Sequence, residues 1–354
     1  MIIILFILGL TFLIIGAEIL VRGASQIAAS VGISPLVIGL TVVAFGTSSP
    51  ELAVSLKSGL SGQANIAMGN VVGSNIFNVL FILGISALII PLRVSKQLIR
   101  LDVPLMVVIS AAVLLFARDL AISQFEGWIF VLGLLVYISF LIYQGRKATN
   151  SDIAIPDTFN SNNEAGENTR WGRNILFITV GLLLLVLGSR WFVNGAVSFA
   201  QHLGVSELVI GLTIVAAGTS LPEVVTSIIA AIRGESDIAV GNVVGSNIFN
   251  IIGVLGITSI VAPAGIPISE SIYHFDLPVM TAVAFACLPI FFTGGILIGY
   301  YASYTSYIIL SATHYEALPL LSNTMLYFVI PITATTLIII AIREFWGNTS
   351  LKTE

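Results

Sequence analysis

Two glutamates stand in the same setting at two distant places in this sequence. One closes the segment Gly39-Leu40-Thr41-Val42-Val43-Ala44-Phe45-Gly46-Thr47-Ser48-Ser49-Pro50-Glu51, the other Gly211-Leu212-Thr213-Ile214-Val215-Ala216-Ala217-Gly218-Thr219-Ser220-Leu221-Pro222-Glu223. Each lies within an apolar run, where an unpaired carboxylate costs about 2.5 kcal/mol or more. The nearest cations along the chain, Lys57 and Arg233, are roughly two to three helical turns away. The proline before each glutamate removes a hydrogen bond and clashes with the carbonyl four residues back, that of Gly46 or Gly218. A freed carbonyl in lipid needs an occupant, and a cation is one candidate. A packing kink with a protonated or otherwise paired glutamate is the plainer reading of one copy. Two copies in oppositely oriented units would meet at a single midplane site, which favours the cation.

A second segment also occurs twice, as Gly69-Asn70-Val71-Val72-Gly73-Ser74-Asn75-Ile76-Phe77-Asn78 and Gly241-Asn242-Val243-Val244-Gly245-Ser246-Asn247-Ile248-Phe249-Asn250. Ser74 and Asn78 are four apart and share a helical face, as do Ser246 and Asn250. The glycines allow close helix approach, and asparagine can serve as hydrogen-bond glue between helices. The expectation is both roles together, glycine for packing and Ser and Asn for oxygen ligands. Carboxylates, hydroxyls, amide oxygens and carbonyls are hard donors, suited to Ca²⁺, Na⁺ or Mg²⁺ rather than Zn²⁺ or Cu⁺. Ligands from several broken helices suit calcium's irregular coordination better than magnesium's octahedron. Two glutamates neutralise one Ca²⁺.

The elements that must position these groups are membrane helices. Of 354 residues 57% are hydrophobic and 9% charged, and the mean hydropathy is +1.04. Soluble domains carry about a quarter charged residues. Apolar runs of about 20 residues recur throughout, the length of a membrane-crossing helix, without the short alternating strands of a barrel. The expected fold class is all-α and polytopic, two inverted five-helix repeats plus a probable eleventh helix. Spans are expected at 1–21, 34–57, 65–91, 102–118, 125–144, 173–193, 206–232, 237–261, 276–293, 295–313 and 324–343. The first run has no basic leader or clear cleavage signal and is kept as a helix.

The repeat is explicit. Residues 32–84 and 204–256, at a constant offset of 172, share 31 identities in 53 positions without a gap. Upstream, Gly16-Ala17-Glu18 faces Gly188-Ser189-Arg190, and downstream Asp102-Val103-Pro104 faces Asp276-Leu277-Pro278. Five spans per unit put the second copy into the membrane from the opposite side. The expected organisation is a first five-helix repeat at 1–144, a polar cytoplasmic linker loop at 145–172, a second inverted repeat at 173–315, and an extra helix and tail at 316–354. Basic residues gather on one side: Arg22, Arg93, Lys96, Arg100, Arg146, Lys147, Arg170, Arg173, Arg233, Arg343 and Lys352, against Lys57, Arg118 and Arg190. By the positive-inside tendency the N-terminus lies outside a cell (inner or plasma) membrane, with the loop and C-terminus cytoplasmic. Arg343 and Lys352 join the majority only with an eleventh span.

Both duplicated segments resemble the paired signatures of the sodium/calcium exchangers, in the calcium/cation antiporter superfamily, and the resemblance covers essentially the whole chain. It implies that Glu51 and Glu223 are central Ca²⁺ ligands and that the Thr47 and Thr219 carbonyls complete the calcium site. It further implies that Ala44, Ser48, Ser74, Ala216, Ser220 and Ser246 give oxygens to flanking sodium sites, with Asn78 and Asn250 in the middle. The first helices of the two units would slide against the rest. Many such exchangers carry Asp at one of the positions held here by Asn78 and Asn250, so this site has two acidic groups, not three. Proton/calcium exchange is the resulting rival, since burial and mutual repulsion favour protonated carboxylates. The Ser and Thr residues kept in both units favour sodium. The implied function is Ca²⁺/Na⁺ antiport, with those ions and the lipid bilayer as partners, no cofactor and no nucleic acid.

Weaker signals remain. Glu18 and Arg190 occupy equivalent positions and would pair if their helices lie antiparallel; Glu18 pairing with Arg22 one turn on is the alternative. Asp102 and Asp276 look like helix N-caps. His202, His274 and His314 lack metal spacing and read as interfacial, and Tyr300, Tyr301, Tyr304, Tyr307 and Tyr315 as packing or an aromatic belt. The single cysteine, Cys287, excludes an internal disulfide. An enzyme is disfavoured, because no H-E-x-x-H motif or nucleophile elbow is present. A channel is the other rival and would need no counter-ion.

Overall fold

The computed structural model describes residues 2–31, 33–90, 95, 97–149, 167–203, 216–287, 294–313 and 318–325. They form the helices α1 (Ile2–Val31), α2 (Pro35–Thr47), α3 (Ser49–Leu60), α4 (Ala64–Ile89), α5 (Leu98–Asp119) and α6 (Gln124–Thr149). After the linker come α7 (Glu167–His202), α8 (Leu221–Ile232), α9 (Ser236–Val261), α10 (Ile272–Ala286), α11 (Gly294–Ala312) and α12 (Leu318–Thr324). Among the described residues six helices are long and apolar enough to cross a membrane, and the bent pair α2–α3 makes a seventh. The expected span at 324–343, apart from its first two residues, and His314 and Tyr315 lie outside the described residues.

Two helices form the centre. The most apolar stretch of α9 is 89% buried and that of α4 67%, against 22% for α6 and 33% for α1. The outer helices turn Ile7, Ile14, Leu132, Val136, Leu176 and Leu183 outward, which suits a lipid solvent. Strands β1 (Ala121–Ile122) and β2 (Ile266–Pro267) pair antiparallel and clasp two loops at one end of the bundle. Opposite this clasp end is the linker end, where α6 finishes and α7 begins.

Helices α1 and α7 lie antiparallel along a seam of glycines. Gly9 meets Gly188 and Phe192, Gly16 meets Gly181 and Leu185, and Gly23 meets Asn174 and Phe177. A Cβ on Gly16 would stand 2.9 Å from the Gly181 carbonyl, so the backbones touch where a side chain would part them. Both helices outrun the expected spans 1–21 and 173–193. The polar residues beyond those limits do not end a helix that has a neighbour to pack on. Glu18 bridges to Arg22 on its own helix at 3.5 Å and to Arg233 just beyond α8. The expected pairing with Arg190 does not form, although the helices are antiparallel. The register is the reason: Gly16 faces Gly181 and Gly9 faces Gly188, so Glu18 and Arg190 sit more than a turn apart. Ser25 Oγ donates to Glu235 Oε1 at 2.9 Å and adds a second tie between α1 and the α8–α9 corner.

Among the described residues five π-helical turns interrupt the helices, and four are repeat-related: Asn78–Leu83 with Asn250–Leu255, and Leu98–Asp102 with Ile272–Asp276. The last two overturn the N-cap reading of Asp102 and Asp276. Both residues have helical backbone angles and make no capping bond, because the helix continues through them as a widened turn. Their carboxylates accept side-chain bonds instead: Asp102 from Tyr137 (3.0 Å) and Gln97 (3.3 Å), Asp276 from Tyr304 (3.1 Å).

Candidate functional site

Each glutamate opens a half-helix. The chain breaks at Ser48 (φ −82°, ψ 8°), and α3 restarts with Pro50 in its first turn, bent 45° from α2. Ser220 (φ −86°, ψ 7°) makes the same break before α8. Proline therefore stands at the start of a new helix rather than in the middle of one, where its missing N–H is no loss. Glu51 and Glu223 fall in the first turns, beside backbone N–H groups whose partial positive charge favours a carboxylate. From the breaks the half-helices run to opposite ends. Gly59 of α3 packs by Ile266 at the clasp end, whereas Arg233 after α8 reaches Glu18 at the linker end.

The carbonyls freed by the prolines have a sequel that differs from the cation expectation. The Gly218 carbonyl accepts Ser189 Oγ of α7 at 2.7 Å, so a neighbouring hydroxyl occupies it. The equivalent position in α1 is Ala17, which has no hydroxyl to offer.

The two breaks exchange hydrogen bonds. Ser48 Oγ donates to Glu223 Oε1 at 2.9 Å, and Ser220 Oγ donates to Glu51 Oε1 at 2.9 Å. Each carboxylate is thus held by the serine three residues before the other. Ser220 also meets Ser74 Oγ at 3.1 Å. Thr47 Oγ1 bonds Asn242 Oδ1 (3.1 Å) and Thr219 Oγ1 bonds Asn70 Oδ1 (3.3 Å). Asn70 Nδ2 in turn donates to the Glu51 carbonyl and to Ser55, and Asn242 Nδ2 to the Glu223 carbonyl and to Ser227. The Ala44 carbonyl accepts both the Ser48 N–H (3.0 Å) and Thr47 Oγ1 (3.4 Å), while Ala216 begins the short helical turn Ala216–Gly218.

At the centre four asparagines close a ring. Asn75 Nδ2 donates to the Asn247 carbonyl and Asn247 Nδ2 to the Asn75 carbonyl. Asn78 Nδ2 donates to Asn247 Oδ1 (3.0 Å), and Asn250 Nδ2 to Asn75 Oδ1 (3.1 Å). With their amide nitrogens turned to Asn247 and Asn75, the buried Oδ1 atoms of Asn78 and Asn250 have no hydrogen-bond partner among the described residues, nor do Glu51 Oε2, Glu223 Oε2 and Ser246 Oγ. A buried acceptor without a donor is costly, and these five are all hard oxygens of the kind that can bind a cation. Glu51, Glu223, Asn78, Asn250, Ser48, Ser220, Thr47 and Ser246 are fully buried. Among the described residues no three of His, Cys, Asp or Glu cluster, so the two glutamates alone supply the charge.

All twelve expected site residues therefore lie on the two breaks and the two central helices that cross them. Asn75 and Asn247, which orient the central amides, were not expected. Nor were Asn70 and Asn242, which tie α4 and α9 to the broken helices. Their signal was recurrence, since every asparagine of the second segment is kept in both copies.

The family model described as "Sodium/calcium exchanger protein" matches residues 1–143 and 173–312. The putative antiporter CaxA of Alkalimonas amylolytica is 40% identical over 280 residues, 79% of this chain and 86% of that protein. The sodium/calcium exchanger MaX1 of Methanosarcina acetivorans is 35% identical over 318 residues, 81% of this chain and 90% of that one. Inner membrane protein YrbG of Escherichia coli is 38% identical over 288 residues, 80% and 87% of the two chains. Among solved structures the sodium-calcium exchanger NCX_Mj superposes with a TM-score of 0.72 at 28% identity, covering 88% of this chain and 97% of that chain. With the duplicated breaks and the buried oxygen cluster, these matches make the chain a multi-pass membrane transporter belonging to the sodium/calcium exchanger family.

Proposed function

We propose that this protein is a secondary active antiporter that exchanges Ca²⁺ for Na⁺ by alternating access at one midplane site. The observation that carries the reading is the set of orphaned oxygens. Two carboxylates each keep one oxygen free of any donor, beside two amide oxygens whose own N–H groups are turned away. Glu51 and Glu223 are the central Ca²⁺ ligands, joined by the Thr47 and Thr219 carbonyls and flanked by Asn78 and Asn250. Ca²⁺ accepts about six to eight oxygens in irregular geometry, and two negative charges neutralise it in a medium that would not tolerate them alone. Ser48, Ser220, Ser74 and Ser246, with the carbonyls of Ala44 and Ala216, offer neutral oxygens suited to Na⁺ in flanking sites.

The two repeats are inverted in this reading. The antiparallel α1 and α7 and the opposite courses of α3 and α8 support it. So does the meeting of Arg22 and Arg233 around Glu18, since both belong to the basic side. The linker end is then cytoplasmic and the clasp end external, in a cell or inner membrane.

A proton-driven exchange is the second reading, favoured by amides at both 78 and 250, which leave two carboxylates to take up two protons. Purified protein in vesicles separates them. The expected result is Ca²⁺ uptake driven by an outward Na⁺ gradient. Uptake indifferent to Na⁺ but driven by a proton gradient would transfer the function to the second reading, and uptake without any counter-ion would make the protein a channel.

A further inference from the structure

A cavity of about 640 Å³ leads from the clasp end toward the site. Its mouth is formed by Asn65 and Ile66 at the start of α4 and by Ser311 and Ala312 at the end of α11. Its floor is Asn70, Ser74 and Thr219, and Ser74 is one hydroxyl bond removed from the Ser220 that holds Glu51. Aromatic rings make one wall, where Phe275 stacks on Tyr307 at 4.1 Å and on Tyr304 at 6.2 Å. Among the described lining residues there is one charged side chain, Asp276, and no lysine or arginine. One of its oxygens accepts the Tyr304 hydroxyl, and it makes no ion pair among the described residues. A carboxylate that is the one charge among the described walls of a largely apolar cavity raises the local concentration of cations.

Its counterpart in the first repeat is Asp102, at the linker end. Asp102 is bonded by Tyr137 of α6 as Asp276 is by Tyr304 of α11, and Tyr137-Ile138-Ser139 matches Tyr304-Thr305-Ser306. Asp102 is fully buried, and Gln97 bonds its second oxygen, whereas Asp276 lines open space. The same acid–phenol pair is thus present at both ends, closed at one and open at the other.

We propose that Asp276 is an access-path cation site, holding a hydrated divalent cation in the cavity before it passes to Glu51 and Glu223. Asp102 performs that task for the opposite face and is closed in the conformation described. This rests on the antiporter reading above. The site is distinct from the central one, since its carboxylate neither reaches nor is bonded to the duplicated segments.

The test measures initial ⁴⁵Ca²⁺ flux in vesicles of defined orientation, with Ca²⁺ varied on one face at a time. Asp276→Asn raises the KM for Ca²⁺ presented at the clasp face about tenfold, the lower end of the focusing effect of a charged cleft, with little change in rate at saturation. Asp276→Glu keeps KM near wild type, and Asp102→Asn raises KM only from the linker face. Tyr304→Phe removes the hydrogen bond and keeps the charge, so KM stays within about twofold of wild type. That arm stands even if the neutral variant does not accumulate, and a rise as large as that expected for Asp276→Asn would make the pair a helix clasp and overturn the proposal. An unchanged KM in a folded Asp276→Asn protein would overturn it equally. If wild type itself moves no Ca²⁺, the function reading fails; if only these variants behave like wild type, the access-path site fails alone.

Discussion

The half-site around Asn242 and the half-site around Asn70 are written in almost the same residues but meet the rest of the molecule differently. In the second copy Gly241 and Gly245 lie against α2. A Cβ there would stand 3.0 Å from the Leu36 carbonyl and 2.7 Å from Leu40 Cα, and Thr47, Asn242 and Ser246 are sealed beneath. In the first copy Gly69 is exposed and Gly73 half-buried, no described atom lies within 4 Å of either Cβ position, and Asn70, Ser74 and Thr219 face the cavity. The Thr–Asn hydrogen bond is the same on both sides, but the serines differ: Ser74 Oγ meets the Ser220 hydroxyl, whereas Ser246 Oγ has no partner among the described residues. Packing differs as well. Among the described residues the duplicated sequence thus meets two different environments, and on the proposed alternating-access cycle the two would trade roles.

The centre should be the part that does not take sides. Glu51→Gln and Glu223→Gln are each expected to abolish Ca²⁺ flux while the protein still elutes as a folded monodisperse species; survival of transport in both would remove the shared site. The glycines are expected to take sides strongly. Gly245→Ala pushes a methyl into the α2 backbone and destabilises by about 1–3 kcal/mol, a fall of roughly 1–4 °C in melting midpoint. Gly73→Ala gains helix propensity of up to about 1 kcal/mol and meets no described atom within 4 Å. On the proposed alternating-access cycle it nevertheless slows exchange, because Gly73 would take the place of Gly245 when access reverses. Equal melting shifts in the two variants, read by a thermal melt in detergent, would erase the distinction. Asn247→Ala should weaken the middle, with two amide bonds lost at about 1–3 kcal/mol in stability. Release of the Asn78 amide raises the KM for Ca²⁺ by about tenfold or more, as removal of an orienting partner of a metal ligand usually does.

Much of this was legible because it was written twice. The Gly-Thr-Ser-x-Pro-Glu segments announced broken helices with buried carboxylates, and the offset between them announced one site. The location of the break was less legible. Ser48 and Ser220 carry it, and proline only follows. The expected spans 1–21 and 173–193 stop short of the ends of α1 and α7, because two helices packed backbone to backbone continue past the membrane-crossing length, and Glu18 is kept by Arg233, more than two hundred residues away. Asp102 and Asp276 looked like caps because a π turn leaves no mark in a short sequence pattern. The roles of Asn75 and Asn247 depend on which amide faces which across two helices, and no spacing rule contains that. The difference in packing between the two half-sites was not legible, because segments so nearly alike carry little sequence in which to record it.

The glycine seam between α1 and α7 bears on how force is transmitted. Backbones in direct contact at three successive levels, from Gly9 with Gly188 to Gly23 with Asn174, with Phe6 packed on Phe192 and Phe12 on Trp191 between them, leave little room to shear. The two helices then respond as a single stiff beam, and compliance resides where the beam touches the bundle through Glu18–Arg233, Ser25–Glu235 and Ser189–Gly218. A covalent cross-link within the beam should leave turnover unaltered, whereas one joining it to α8 should stall the cycle with the ions still bound.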